Sequence, residues 1–315
     1  MRLVAQALAA VFFCLSSVAA QAETPVFGST EAERLSEAMK SARWTGPMLA
    51  SNAETLPQGH FYTEPYFYDV VVGGDHHPGS SGFYQYGLLD SLTIGVQPSF
   101  ATATNSLGRG MTIGDFKLLS QVRLTHFTPE HGVPTIAVVL NQVLPTGKSD
   151  RLREGQEGHG SGSFATEVGI NVQHYFLLKN GHLLRARINV LHSIAYGTHV
   201  SGRSVYGSDA GFSGHARPGA KTTLIGAVEY SLTREWVLAL DVIRESARKT
   251  KLHGRDASGA LVERTFPSTR DVGFAPAVEY NWSDRAGILL GVWITPKGHN
   301  TPSSVTPAIA IQRFW

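Results

Sequence analysis

From residue 60 onward, apolar and polar residues alternate with a period of two. Many of these runs exceed the roughly five or six residues usual for strands of soluble domains. Twelve strands are predicted, at about 60–72, 83–89, 92–104, 112–127, 134–146, 163–178, 182–197, 219–232, 236–248, 269–282, 286–296 and 304–315. In the ninth, Trp236, Leu238, Leu240 and Val242 alternate with Val237, Ala239, Asp241 and Ile243. In the tenth, Phe274, Pro276, Val278, Tyr280 and Trp282 alternate with Gly273, Ala275, Ala277, Glu279 and Asn281. The eighth sets Leu224, Val228, Tyr230 and Leu232 against Lys221, Thr223, Glu229 and Ser231. One face suits lipid, and the other is small, polar or charged.

The joints between the runs alternate in length. Asp90-Ser91, Thr128–Val133, Asn180-Gly181, Thr233–Glu235 and Ser283–Arg285 are short, and Asn180-Gly181 suits a type I′ hairpin. The joints at about 73–82, 105–111, 147–162, 198–218, 249–268 and 297–303 are generally longer. Tight turns at one end and longer loops at the other predict an all-β fold, a transmembrane antiparallel β-barrel of about 12 strands. A soluble sandwich would also alternate, but it has no reason to sort its joints by length.

Residues 1–59 have a different character. Arg2, the apolar run Leu3–Leu15 and Ala20-Gln21-Ala22 predict a cleaved signal peptide at 1–22. The single cysteine, Cys14, lies inside it, so the exported remainder is expected to fold without a disulfide. Residues 23–59 form an N-terminal segment ahead of the barrel at 60–315. Thr30 and Glu33 make a capping box, and Ala32, Leu35, Met39 and Ala42 give a weak apolar stripe, so a helix is predicted at 30–43. So weak a stripe needs a partner, and the segment is expected at the periplasmic mouth or partly plugging the lumen.

Phe127, Phe176, Tyr230, Trp236, Trp282 and Trp315 gather where the periplasmic interface should lie, as an aromatic girdle would. The last strand, with Val305, Ile309, Ile311 and terminal Trp315 on one face, resembles the signal read by the barrel insertion machinery, and Arg313 interrupts that face. Composition narrows the classes further. The chain is 42% hydrophobic, which excludes wholesale disorder, and only 17% charged. Its net charge of +2 gives no reason to expect a nucleic-acid partner. Beyond the leader, no apolar stretch is long enough for a membrane-spanning helix.

Several short patterns carry a family resemblance: Trp44-Thr-Gly-Pro-Met-Leu49, Leu56-Pro-Gln-Gly-His-Phe-Tyr-Thr-Glu-Pro-Tyr66, Gly114-Asp-Phe-Lys-Leu118, Leu144-Pro-Thr-Gly147 and Ala308-Ile-Ala-Ile-Gln-Arg313. Their order along residues 44–315 is similar to that in the MetA-pathway of phenol degradation family. The resemblance implies an outer-membrane, transporter-like barrel passing small, often aromatic or hydrophobic, compounds.

The candidate pore-lining residues are Asp115, Lys117, Arg123, Glu167, Arg185, Arg187, Lys221, Glu229, Asp241 and Glu279, with Glu245 and Asp271 on the same face. Arg185 and Arg187 are expected to face Glu167, with Glu229 near Asp241. Such a lumen of mixed sign either selects solutes or is a structural ladder of ion pairs. His76, His77, His159, His199, His215, His253 and His299 fall in expected external loops without metal-ligand spacing, so no metal site and no cofactor are expected. Asp75-His76-His77 reads as a solvated loop, and the Gly-rich stretch 155–162 as a flexible loop tip. An outer-membrane lipid hydrolase would need a Ser–His pair. His192 and Ser193 point to opposite faces, Ser213-Gly214-His215 is the other nearest candidate, and no G-x-S-x-G occurs, so no catalytic residue is assigned. The expected function is an outer-membrane channel with lipid and a small solute as partners. The alternatives are a non-transporting barrel with partner-binding loops and, less favoured, the hydrolase.

Overall fold

The computed structural model describes residues 30–105 and 108–315, and the leader lies outside the described residues. Helix α1 (Glu31–Ser41) opens on the expected capping box: Thr30 N–H donates to the Glu33 carboxylate at 2.6 Å, and Glu33 N–H to the Thr30 hydroxyl at 3.2 Å. It ends short of residue 43 because Ala42 is already extended.

Among the described residues, eighteen strands follow. They are β1 (Phe61–Val72), β2 (Asp75–Leu89), β3 (Leu92–Gln97), β4 (Ser99–Asn105), β5 (Gly108–Ile113), β6 (Phe116–Thr125), β7 (Thr135–Leu144), β8 (Ala165–Leu177), β9 (Leu183–Ala195), β10 (Thr198–Ser201), β11 (Ser213–Arg217), β12 (Lys221–Ser231), β13 (Trp236–Ala247), β14 (Thr250–Arg255), β15 (Leu261–Phe266), β16 (Thr269–Ser283), β17 (Ala286–Thr295) and β18 (Ser304–Phe314). Twelve of them close a barrel in the order β1-β2-β3-β6-β7-β8-β9-β12-β13-β16-β17-β18, and β1 pairs antiparallel with both β2 and β18. Closure leaves no free edge in the wall.

The wall is inside-out relative to a soluble protein. On β13, Leu240 is 42% exposed while Asp241 beside it is fully buried. Trp236, Leu238, Phe274, Tyr280, Trp282 and Leu290 face outward; Glu229, Glu279, Asn281 and Asn171 are buried inside. In water so large an apolar exterior would aggregate, whereas lipid solvates it. The last strand follows the same rule, with Val305, Ile311 and Trp315 exposed outward. Arg313 also points outward, its guanidinium 5.5 Å from the Trp315 ring centre. Phe127 departs from the expected girdle. It lies just beyond the end of β6, outside the alternation, and turns inward to 2% exposure against Tyr175 and Leu183.

The predicted runs are revised in three places. Gly73 and Gly74, at φ 61° and 96°, turn the chain tightly, so the expected long loop at 73–82 is instead the start of β2. The third run breaks at Pro98, which cannot donate to the ladder, into β3 and β4. The described ends of the expected loop at 105–111 lie in paired strands, β4 and β5, with β4 carried by β2.

Beyond the loop end of the wall, β10, β11, β14 and β15 form a second, four-stranded sheet. Its register continues that of the barrel. Ser193↔Lys221 leads without slip to Thr198↔Ala216, Lys221↔Ala247 to Arg217↔Lys251, and Ala247↔Thr269 to Thr250↔Phe266. The outer sheet therefore extends four wall strands, with the same residues sharing a face.

Candidate functional site

Buried carboxylates need donors, and residues 43–58 supply several of them. Arg43 anchors the start at the short-turn end: its N–H donates to the Arg234 carbonyl at 3.1 Å, and its Nε to Asp284 at 2.6 Å. That bond from Arg43 holds the Asp284 carboxyl below its usual range. The chain then rises into the lumen. Thr45 and Gly46 donate backbone N–H to Glu279 at 2.6 and 3.2 Å, and Leu49 and Ala50 to Asp241 at 3.2 and 2.9 Å. Gly46 sits at φ 133°, a conformation that a side chain would strain. Arg187 caps the carbonyl of Ala50 at 2.7 Å, and Asn189 that of Ser51 at 3.1 Å.

The segment then returns toward the short turns. Glu54 accepts from Arg123 at 2.7 Å and from the Thr135 hydroxyl at 2.5 Å. Leu56 N–H reaches the Thr93 hydroxyl at 2.8 Å, and Gln58 N–H reaches Asp90 at 2.9 Å. A Cβ on Gly87 would lie 2.1 Å from the Pro57 carbonyl, so only glycine allows this return path. Below, Leu35, Ala38 and Met39 of α1 pack against Phe127, Tyr175 and Leu183.

The candidate residues divide into groups. Arg185 pairs with Glu229 and lies 4.5 Å from the Trp44 ring centre; Arg187 approaches the same carboxylate at 3.2 Å. Neither arginine faces Glu167 as expected. Glu167 sits opposite Ser193, six residues along β9 from Arg187 and so about 20 Å away, and pairs instead with Lys117 at 3.3 Å. Lys221 pairs with Glu245 toward the loop end. Asp115 precedes β6 and accepts from Gly147 N–H at 3.0 Å and Ser161 N–H at 2.7 Å, tying down both ends of the 147–162 loop. That loop is close-packed where its glycines meet: a Cβ on Gly160 would lie 2.3 Å from the Gly147 carbonyl.

Sequence reasoning missed Glu64 and Glu54. Glu64 is buried on the inward face of β1, where the Tyr66 hydroxyl donates to it at 3.1 Å, and the period of two could have found it. Glu54 lies outside every strand, and no pattern marked it. The histidines expected in loops lie partly in strands: His76 and His77 on β2, and His199, His215 and His253 on the outer sheet. His192 meets the Thr222 hydroxyl at 2.9 Å.

Beside the inserted segment runs a cavity of about 560 Å³. Tyr66, Phe83, Leu119 and Leu191 line it together with Lys117 and Glu167. Such a space offers apolar contact beside charged groups of both signs, since Glu54, Glu64, Arg185 and Arg187 also line it.

No family model matches the chain, and no curated protein matches it. Among solved structures, the chain is similar to an outer membrane channel from Pseudomonas putida F1, with TM-score 0.56 and 11% identity over 84% of this chain and 98% of that one. It superposes more loosely on the NanC porin, with TM-score 0.47 and 9% identity over 79% of this chain and 98% of that one. On the TodX deltaS2S3 mutant monoaromatic hydrocarbon channel the TM-score is 0.45, with 13% identity over 88% of this chain and 98% of that one. At these identities the likeness is one of fold. The chain has the fold of an outer-membrane β-barrel.

Proposed function

We propose that the chain is an outer-membrane channel, exported through its cleaved leader, for diffusion of small, weakly polar or aromatic compounds. The observation that carries this reading is the cavity beside residues 43–58, where aromatic and aliphatic side chains meet charged groups of both signs, among them Lys117, Arg185 and Arg187 with Glu54, Glu64 and Glu167. Conduction requires binding weak enough for release, and a wall of mixed character without a cluster of one sign meets that need. Proteoliposomes holding the full chain are expected to swell faster in L-phenylalanine than in arabinose. Swelling no faster than that of empty liposomes in either solute would overturn the reading. A second reading, a barrel whose outer elements bind a partner, draws support from the register-continuous outer sheet, whose four strands lie beyond those of the wall.

A further inference from the structure

The outer sheet has two unlike faces. Val200, Ala216 and Leu252 point to one of them, buried under Tyr206 and Phe212 of the β10–β11 connection. The other is exposed and carries the odd-numbered residues, which lower in the same four strands are Arg185, Glu229, Asp241 and Glu279. Because the register runs through without slip, the exposed face continues the lumen wall, not the lipid-facing surface.

Its residues are arranged against ordinary strand-pairing preference. Arg217 stands directly opposite Lys251, and like charges in that relation destabilise a strand pair. Neither has an ion-pair partner among the described residues. In the next row, His199, His215 and His253 are consecutive cross-strand neighbours, ending at Glu263, which His253 meets at 3.1 Å. Arg255 stands in the row beyond. Among the described residues these side chains do not converge as a metal-binding group would. They form instead a plane of donors: a guanidinium fork, an ammonium and imidazole N–H groups. From Arg217 to the level of Arg255 the plane extends about 13 Å along the strands, more than a single carboxylate or phosphate can cover. An anion bridging Arg217 and Lys251 would remove their mutual repulsion.

We propose that this face binds soluble multivalent anions carrying phosphate or carboxylate groups, held by Arg217, Lys251 and Arg255 with His215 and His253 between them. By alternation this face is in step with the lumen wall, so the ligand proposed is a soluble anion, and binding of lipid headgroups instead is an outcome of the test.

Calorimetric titration of the detergent-solubilised full chain with pyrophosphate at low salt tests this without requiring conduction, so its failure leaves the channel reading standing and the converse also holds. Saturable binding is expected, weakened about tenfold or more by Arg217→Gln with Lys251→Gln, and weakened by added salt. Lys297→Gln, an exposed cation elsewhere at the loop end, should leave it unchanged. Folding of each variant is checked by its mobility shift on SDS gels before and after boiling. Should the double variant fail to fold, His215→Gln with His253→Gln is titrated instead and should also weaken binding. Absence of saturable heat, equal weakening by Lys297→Gln, or binding of lipopolysaccharide but not pyrophosphate would each overturn the proposal.

Discussion

Asp241 and Glu279 show how the lumen is balanced at the scale of single residues. Arg185 and Arg187 both serve Glu229, so the other two carboxylates take backbone N–H groups from Thr45, Gly46, Leu49 and Ala50. Breaking one side of a buried pair costs about 3–5 kcal/mol, because the remaining charge is stranded. Arg185→Ala should therefore lower the unfolding midpoint in denaturant, and adding Glu229→Ala should recover part of the loss. A double variant no more stable than Arg185→Ala would count against this pairing. Asp284 gives the pH dependence. Its carboxyl is held low by Arg43, so the tie is complete above the ordinary pKa near 3.9 and is lost as pH falls through the lowered value. A spin label at position 39 should become more mobile below about pH 4, and Asp284→Asn should reproduce that mobility at neutral pH. No change in either case would mean that Arg43 is held by its other contacts, among them Glu235 at 3.7 Å. Inward placement of Asp241 and Glu279 was legible from alternation. Their partners were not, since these lie on residues 45–50, outside every strand. Nor does register between strands appear in a single strand's pattern, which is why alternation alone sets Arg185 and Arg187 against Glu167.

Among the elements, wall strands were readable wherever one face meets lipid, because that contact imposes a period of two. Strands outside the apolar band escaped notice. The first part of β2, Asp75-His-His-Pro-Gly-Ser-Ser-Gly82, has no apolar alternation and is fixed by pairing with β1 and, at Gly79–Ser81, with β4. The outer sheet was likewise hidden within long loops, because its buried face is small: Val200, Ala216 and Leu252. Asp115 holds the neighbouring loop to this end of the barrel. Its carboxylate takes two backbone N–H groups and the Ser161 hydroxyl, and the Tyr206 hydroxyl donates to the Ser161 carbonyl at 2.5 Å. Asp115→Ala should free residues 147–162 while leaving the wall intact. Tryptic cleavage after Arg151 or Arg153 is expected to be several-fold faster, since each hydrogen bond to a charged group contributes about 1.5–3 kcal/mol. Unchanged cleavage would show that the loop's other contacts hold it, among them Arg151 N–H to the Ser201 carbonyl at 2.9 Å and Leu152 N–H to the Arg203 carbonyl at 3.0 Å.

For the whole molecule, the lumen is shared between the wall and residues 43–58. A barrel of about eight strands is filled by its own side chains, and one of about sixteen leaves an aqueous channel. Twelve strands enclose an intermediate space, and here the inserted segment occupies much of it, leaving the 560 Å³ cavity alongside. The wall closes without the segment, because β1 pairs with β18 and β2 along its own backbone. Deleting residues 24–55 should therefore leave a folded barrel, still heat-modifiable on SDS gels. Asp241, Glu279 and Arg187 would lose partners on the segment, but water entering the vacated lumen could hydrate them. Single-channel conductance in planar bilayers should rise several-fold, since a water-filled lumen replaces a narrow side passage. His76→Ala with His77→Ala, on β2 beyond the wall's apolar band, should leave conductance as it is. A folded deletion variant with unchanged conductance would mean that the constriction lies in the wall side chains themselves, with Lys117 and Glu167 the first pair to test.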